Sequence, residues 1–314
     1  MKTAFIFPGQ GSQKLGMLAD FSAYPLIQKT FDEASAALGY DLWQLTQHDE
    51  AKLNQTEFTQ PALLTASVAL WRLWLDQGGK KPDYLAGHSL GEYSALVCAG
   101  TLSLADGVKL VAKRGALMQQ AVKPGEGAMA AILGLDDQKV LDACKAAMQN
   151  ESAHESVSIA NFNSLGQVVI AGHKAAVDRA IEACKQAGAK RAIPLAVSVP
   201  SHCALMQPTV AALAEFMHTL SWSLPTIPIV HNVDVAIHQD IAAIQNVLTH
   251  QLTQSVRWVE TVQRLYQMGC GRIIECGPGK VLTGLNKRII DSVSYYNLGE
   301  VALFQSTLEE CKHV

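Results

Sequence analysis

Apolar positions recur along the chain in two rhythms. Short apolar bursts cut off by turn formers alternate with longer stretches in which apolar residues return every three to four positions, the mark of strands interleaved with helices. The first burst, Thr3 to Pro8, has no polar face and ends in the glycine-rich loop Gly9-Gln10-Gly11-Ser12-Gln13, as a buried strand followed by a tight loop would. Helical spacing follows over Tyr24–Leu38 and Gln60–Gln77, and a second strand over Asp83–His88 runs into Ser89. Ser103 and Asp106 have the spacing that opens a helix, which continues to about Val122.

After Lys123-Pro124-Gly125-Glu126-Gly127 the pattern changes to strand (Ala128–Leu133), helix (Asp137–Gln149), strand (Val157–Phe162), strand (Gln167–Gly172), helix (Ala175–Ala187) and strand (Arg191–Val197). That order is the ferredoxin-like βαββαβ pattern, which closes a small core of its own. Alternation then resumes with strands at Pro228–His231, Arg272–Cys276 and Tyr295–Leu298, helices at Ile241–Leu252 and Trp258–Gln267, and a last helix from Val301. The expected architecture is therefore α/β. Residues 1–125 and 199–314 form a large α/β-hydrolase-like catalytic domain with a mainly parallel sheet, and residues 126–198 form an inserted ferredoxin-like domain.

Composition narrows the function classes. Apolar residues make up 49% of the 314 residues and charged residues 17%, as in globular chains. A net charge of −3 supplies no field to hold nucleic acid or an anionic membrane. The apolar stretch Leu63–Leu75 is broken by Arg72 and falls short of the roughly 20 residues that span a bilayer. The apolar run at the N-terminus is too short for a secretory signal, so a cytoplasmic protein is expected. Seven cysteines without a Cys-x-x-Cys pair argue for reduced, buried thiols in place of a disulfide framework or a zinc ribbon. No cofactor or metal site is evident.

Gly87-His88-Ser89-Leu90-Gly91 joins a strand end to a helix start, where a nucleophile elbow holds a serine above the sheet rim. A serine needs a base. His88 should point to the other side of its strand, and His48, His154, His238, His250 and His313 sit in polar surroundings. His173 follows a strand of the inserted unit, and His231 ends a strand without other signals. His202, in Val199-Pro200-Ser201-His202, lies where the inserted unit rejoins the large one. Pattern alone allows it to be either the base in a domain cleft or a buried, hydrogen-bonded histidine. Oxyanion donors are expected from the backbone N–H groups of Leu90 and Gln10. Lys14 replaces the third glycine of a dinucleotide fingerprint, and Gly277-Pro278-Gly279-Lys280 lacks the flanking residues of a phosphate loop.

Arg114 falls on the stripe Gly107, Leu110, Val111, Leu117, Met118 and Ala121, the face a helix buries. A charge arginine cannot shed either snorkels out to solvent or, if buried, needs a partner: a structural carboxylate, or the carboxylate of a substrate.

Together, Phe7-Pro8-Gly9-Gln10-Gly11-Ser12-Gln13, Gly87-His88-Ser89-Leu90-Gly91-Glu92-Tyr93, Arg114, Val199-Pro200-Ser201-His202, Gln251 and Gly277-Pro278-Gly279-Lys280-Val281-Leu282 closely resemble the malonyl-CoA:acyl carrier protein transacylases of type II fatty acid synthesis. The resemblance runs nearly the full length, through Asn161-Phe162-Asn163 and Gln167-Val168-Val169-Ile170-Ala171-Gly172. It implies malonyl-CoA and acyl carrier protein as partners and a ping-pong reaction. Ser89 would be the nucleophile and His202 the base. The Gln251 main-chain carbonyl would orient the imidazole, the Gln10 and Leu90 amides would hold the oxyanion, and Arg114 would bind the malonyl carboxylate. Acyl carrier proteins are acidic, so Lys190, Arg191, Lys287 and Arg288 are candidates for a local basic docking edge. Two rivals remain at this point: a serine esterase or thioesterase on a similar scaffold, and a non-catalytic carrier-protein binding module.

Overall fold

The computed structural model describes residues 1–149, 155–196 and 199–312. Its nine strands are β1 (Lys2–Phe7), β2 (Tyr84–Gly87), β3 (Gly127–Leu133), β4 (Val157–Ser164), β5 (Gln167–His173), β6 (Arg191–Pro194), β7 (Ile229–Val230), β8 (Cys270–Glu275) and β9 (Ser294–Asn297) among the described residues. They form two sheets. The first has order β7-β2-β1-β8-β9 with every pairing parallel. The second has order β4-β5-β3-β6 with every pairing antiparallel.

β1 lacks a polar face because it is the middle strand of the parallel sheet, covered on both sides. Ala4, Phe5, Ile6 and Phe7 are fully buried, and the two-residue period sends them into different cores. Phe5 and Phe7 join the core built on the helix Thr56–Asp76, where Trp71 and Trp74 meet Phe5 edge-on at 5.4 Å. Ala4 and Ile6 pack with Trp258, Val262 and Ile273 on the opposite side. The second sheet closes its own core with Ile132, Val140, Ile159, Ile170, Val177 and Ile181. Its other face, through Met129, Ala160, Val169 and Ala171, lies against Cys203, the neighbour of His202.

Backbone contacts tie the two sheets together beside the elbow. Phe162 N–H donates to Val256 O at 3.0 Å, Val256 N–H donates to Ala160 O at 2.8 Å, and the Ser255 hydroxyl donates to Ile159 O at 2.5 Å. The elbow itself is crowded. A Cβ on Gly87 would stand 1.9 Å from the carbonyl carbon of Gly91, and a Cβ on Gly91 would stand 2.0 Å from Phe7 O. Only glycine lets the end of β1, the end of β2 and the helix Gly91–Cys98 converge at that spacing.

The periodicity located most elements within a few residues of their observed ends. The helix Leu104–Gln120 opens as expected, with the Ser103 hydroxyl accepting from Asp106 N–H at 3.0 Å. β6 stops at Pro194, and the expected extension to Val197 runs into residues outside the described ones. The short helix Val281–Asn286 had no local start signal because its cap is remote. The Glu275 carboxylate at the end of β8 accepts from Leu282 N–H at 3.1 Å and Thr283 N–H at 2.8 Å. The helices Leu42–His48 and Val210–His218 also went unanticipated.

Gly91→Ala should lower stability by about 1–3 kcal/mol through forced backbone displacement. A urea denaturation midpoint equal to that of the unchanged protein would show that the elbow has slack.

Candidate active site

Ser89 sits between the C-terminal end of β2 and the helix Gly91–Cys98, in left-handed backbone conformation with φ of 52°. Such a conformation costs a serine roughly 1–2 kcal/mol and persists because its surroundings impose it. Ser89 N–H donates to Asn232 Oδ1 at 2.8 Å, and Ser89 O accepts from Gln251 Nε2 at 3.1 Å.

The Ser89 hydroxyl meets His202 Nε2 at 2.8 Å, while His202 Nδ1 lies 2.6 Å from the main-chain oxygen of Gln251. A carbonyl oxygen only accepts, so Nδ1 carries the proton and Nε2 presents its lone pair to Ser89. His202 is buried and also left-handed, with φ of 59°. Burial, and after it the charge of Arg114, push its pKa down to about 3, against a smaller upward pull from Gln251 O. The imidazole is neutral and able to accept a proton at physiological pH.

Arg114 is 2% exposed and extends from the buried stripe of its helix. It donates to Gln60 Oε1 at 2.9 Å, to Gln251 Oε1 at 2.9 Å and to Ser89 Oγ at 3.2 Å. Its guanidinium carbon lies 5.2 Å from the centre of the Tyr93 ring, and its Nε is buried without a partner. All of its acceptors are uncharged. Among the described residues no carboxylate pairs with it, so a positive charge beside the nucleophile lacks a counter-ion from the protein. Neither the Gln10 nor the Leu90 N–H is taken by a backbone acceptor among the described residues. Gln10 follows β1 in the loop, where its side chain reaches Thr56 Oγ1 at 3.3 Å, and Leu90 is the buried residue after the nucleophile.

A profile of the acyl transferase domain family matches residues 4–302. The malonyl CoA-acyl carrier protein transacylase of Salmonella typhimurium is 57% identical over 310 residues, covering 98% of this chain and 99% of that one. The protein of the same name from Escherichia coli is 56% identical over 308 residues, 98% of each chain. The chain belongs to the malonyl CoA-acyl carrier protein transacylase family. Among solved structures, an acyl carrier protein S-malonyltransferase of Vibrio cholerae aligns with a TM-score of 0.94 at 53% identity, over 98% of this chain and 100% of that one. A malonyl-transacylase in complex with a holo type II acyl-carrier protein aligns at 0.96 and 54% identity, over 99% of this chain and 100% of that one.

For this family member the structure brings together Ser89, His202, Gln251 and Arg114, which are far apart in the sequence; Gln10 lies in the loop after β1, and Leu90 directly follows Ser89. Of the other histidines, His88 turns away to Asn163 Oδ1 at 2.8 Å and packs its ring on Trp258, a structural role. His231, without signals in the sequence, is buried with its Nδ1 2.6 Å from Glu92 Oε1. His154 and His313 lie outside the described residues. Gln60, Glu92 and Asn232 escaped the sequence reading. Glu92 carried a usable signal, as the one charged residue of the helix Gly91–Cys98. All seven cysteines are buried. Among the described residues, no group of three or more His, Cys, Asp or Glu side chains could hold a metal ion, and no helix is long and apolar enough to cross a membrane.

The depressed His202 pKa sets a pH profile. Because the unprotonated form is the base, Ser89 acylation by a neutral activated ester should stay level from about pH 8 to about pH 5 and decline only in more acid solution. Arg114→Leu removes a charge that disfavours imidazolium, so the acid limb should shift upward toward the free imidazole value. A stopped-flow acylation profile with a limb near 6.5 in the unchanged enzyme would contradict the assigned environment.

Proposed function

We propose that the chain transfers the malonyl group of malonyl-CoA to the phosphopantetheine thiol of acyl carrier protein, through a malonyl ester on Ser89, in fatty acid biosynthesis in the cytoplasm. The observation that carries this reading is the guanidinium of Arg114, placed 3.2 Å from Ser89 Oγ with only neutral oxygens around it. One end of the acyl group is attached to Oγ, and a carboxylate one methylene further on can turn back onto that cation.

Ser89 Oγ attacks the thioester carbonyl as its proton passes to His202 Nε2. The tetrahedral oxyanion is held by the Gln10 and Leu90 amides. Collapse breaks the C–S bond, and His202 returns the proton to the departing CoA sulfur. In the second half-reaction the carrier thiol gives its proton to His202 and attacks the ester carbonyl. The C–O bond then breaks, and Oγ recovers the proton. Gln251 O keeps the imidazole in the required tautomer, taking the place of an acidic triad member. The malonyl carboxylate has a second effect: by balancing Arg114 it removes part of what depresses the His202 pKa, and so makes the base stronger when the correct substrate is bound.

An esterase would gain little from an uncompensated cation at this depth, and a binding module would need no oriented base. The large unit, residues 1–125 and 199–314, is read as the α/β-hydrolase-like catalytic domain. Residues 126–198 are read as a ferredoxin-like insertion, a reading favoured by the sheet order β4-β5-β3-β6 with its two connecting helices Asp137–Met148 and Lys174–Gln186. The four basic candidates are exposed, and Lys190, Arg191 and Arg288 contact residues at one end of the second sheet. Arg191 pairs with Leu133, Leu133 pairs with Gln167, and Gln167 Oε1 accepts from Arg288 Nη1 at 2.9 Å. That end adjoins Asn163, the partner of His88 next to the nucleophile, and suits an acidic carrier protein.

Incubation with malonyl-CoA without acceptor should leave a malonyl adduct on Ser89 by mass spectrometry; an unmodified serine would rule out the covalent route. Arg114→Ala should lower malonyl loading about 100-fold while affecting acetyl loading far less. Reversing Lys190, Arg191, Lys287 and Arg288 to glutamate should slow delivery to acyl carrier protein and leave loading from malonyl-CoA nearly intact. Equal slowing of both half-reactions would remove this edge as the docking surface.

A further inference from the structure

Glu92 follows the second glycine of the elbow, is 1% exposed, and takes part in no step of the transfer. Three donors converge on its carboxylate: His231 Nδ1 at 2.6 Å on Oε1, and Gln251 Nε2 at 2.9 Å with Asn232 N–H at 3.1 Å on Oε2. We propose that Glu92 is the positioning residue of the transfer site: it fixes the side-chain amide of Gln251 and the backbone of Asn232, and through them the nucleophile and the acyl-carboxylate clamp. This rests on the roles given above to Ser89 and Arg114.

A carboxylate offers acceptors only, so it selects the face of Gln251 that donates. With Nε2 on Glu92, Gln251 Oε1 must point the other way, onto Arg114 Nη2 at 2.9 Å. The same Nε2 also donates to Ser89 O at 3.1 Å. Asn232 is locked likewise: its Nδ2 donates to Gly87 O at 2.6 Å, which turns Oδ1 onto Ser89 N–H at 2.8 Å. One buried acid thus holds the residues that grip both backbone sides of the left-handed Ser89.

The intervening amide also explains how an acid and a cation share a buried site without cancelling. A direct ion pair would occupy the guanidinium and compete with the substrate carboxylate. Gln251 separates them by one amide, so Glu92 orients Arg114 and leaves its charge unpaired. This arrangement couples selectivity to Glu92 although the carboxylate never meets the acyl group.

Glu92→Gln is nearly isosteric but introduces an NH2 group. Turned toward Oε2's place that group faces two donors, and rotation of the Gln251 amide relieves the conflict by turning Nε2 toward Arg114; turned toward His231 it is accepted by Nδ1 only if the imidazole proton moves to Nε2, which is buried without an acceptor. The test is the rate of Ser89 acylation by malonyl-CoA and by acetyl-CoA, followed by mass spectrometry. In Glu92→Gln malonyl loading should fall at least about tenfold and acetyl loading less, so that the malonyl-to-acetyl ratio drops severalfold. Glu92→Asp keeps the acceptor chemistry but draws the carboxylate back by about 1.5 Å, and its ratio should fall between the two; it carries the test alone should Glu92→Gln not fold. A purely structural role would lower both rates together, so a ratio unchanged in both Glu92 variants, with or without loss of overall rate, overturns the proposal. Arg114→Ala run in parallel separates the two levels of failure. If it leaves the ratio intact, the clamp reading is at fault; if it lowers the ratio and neither Glu92 variant does, only the role of Glu92 is lost.

Discussion

A guanidinium buried beside a nucleophile without a carboxylate to balance it is the constraint around which this site is built. Arg114 is held by two glutamine oxygens, the Ser89 hydroxyl and the face of Tyr93, none of which cancels its charge. Desolvating such a group is costly, and neutral dipoles recover only part of that cost. The remainder favours any ligand that delivers an anion to this point. On the function proposed above, preference for a diacid and the electrostatic field at the Ser89 hydroxyl have a common source.

The field reaches the base as well as the substrate. His202 is kept neutral by burial and by the same cation, and its tautomer is set by a main-chain oxygen of Gln251. A carboxylate in the place of that oxygen would put a negative charge close to Arg114 and offer it an internal partner. A main-chain carbonyl orients the imidazole without offering a counter-ion. Gln251 thus serves two groups by different atoms, its backbone holding the base and its side-chain amide bridging Arg114 and Glu92.

Positioning of these groups depends on crowding at the elbow. β1 brings the Gln10 loop, β2 brings Ser89, and the helix Gly91–Cys98 brings Leu90 and Glu92, all within contact distances that a single Cβ would violate. The second sheet contributes by contact. Its inner face seats Cys203 beside the base, and Asn163 holds His88 away from the nucleophile.

Much of this was legible along the chain. The unbroken apolar run at Thr3–Phe7 announced a strand covered on both faces, the glycine spacing around Ser89 announced the elbow, and a charged residue on the apolar stripe of a helix marked Arg114. These signals are local: each depends on the two-residue or 3.6-residue period, or on glycine where backbones meet. Resemblance to a family supplied the assignment of His202 and of the Gln251 carbonyl, for which pattern alone left the choice open. Neither the distant capping of the helix Val281–Asn286 by Glu275 nor the convergence of Glu92, His231, Asn232 and Gln251 on one another could be read in advance, because hydrogen bonds between residues up to 159 positions apart leave no periodic trace. The sequence by itself determined which elements form and which residue types could do chemistry. Only the tertiary structure decided that the buried cation would find amides and a hydroxyl in place of an acid, since that depends on which side chains three separate segments bring to one point.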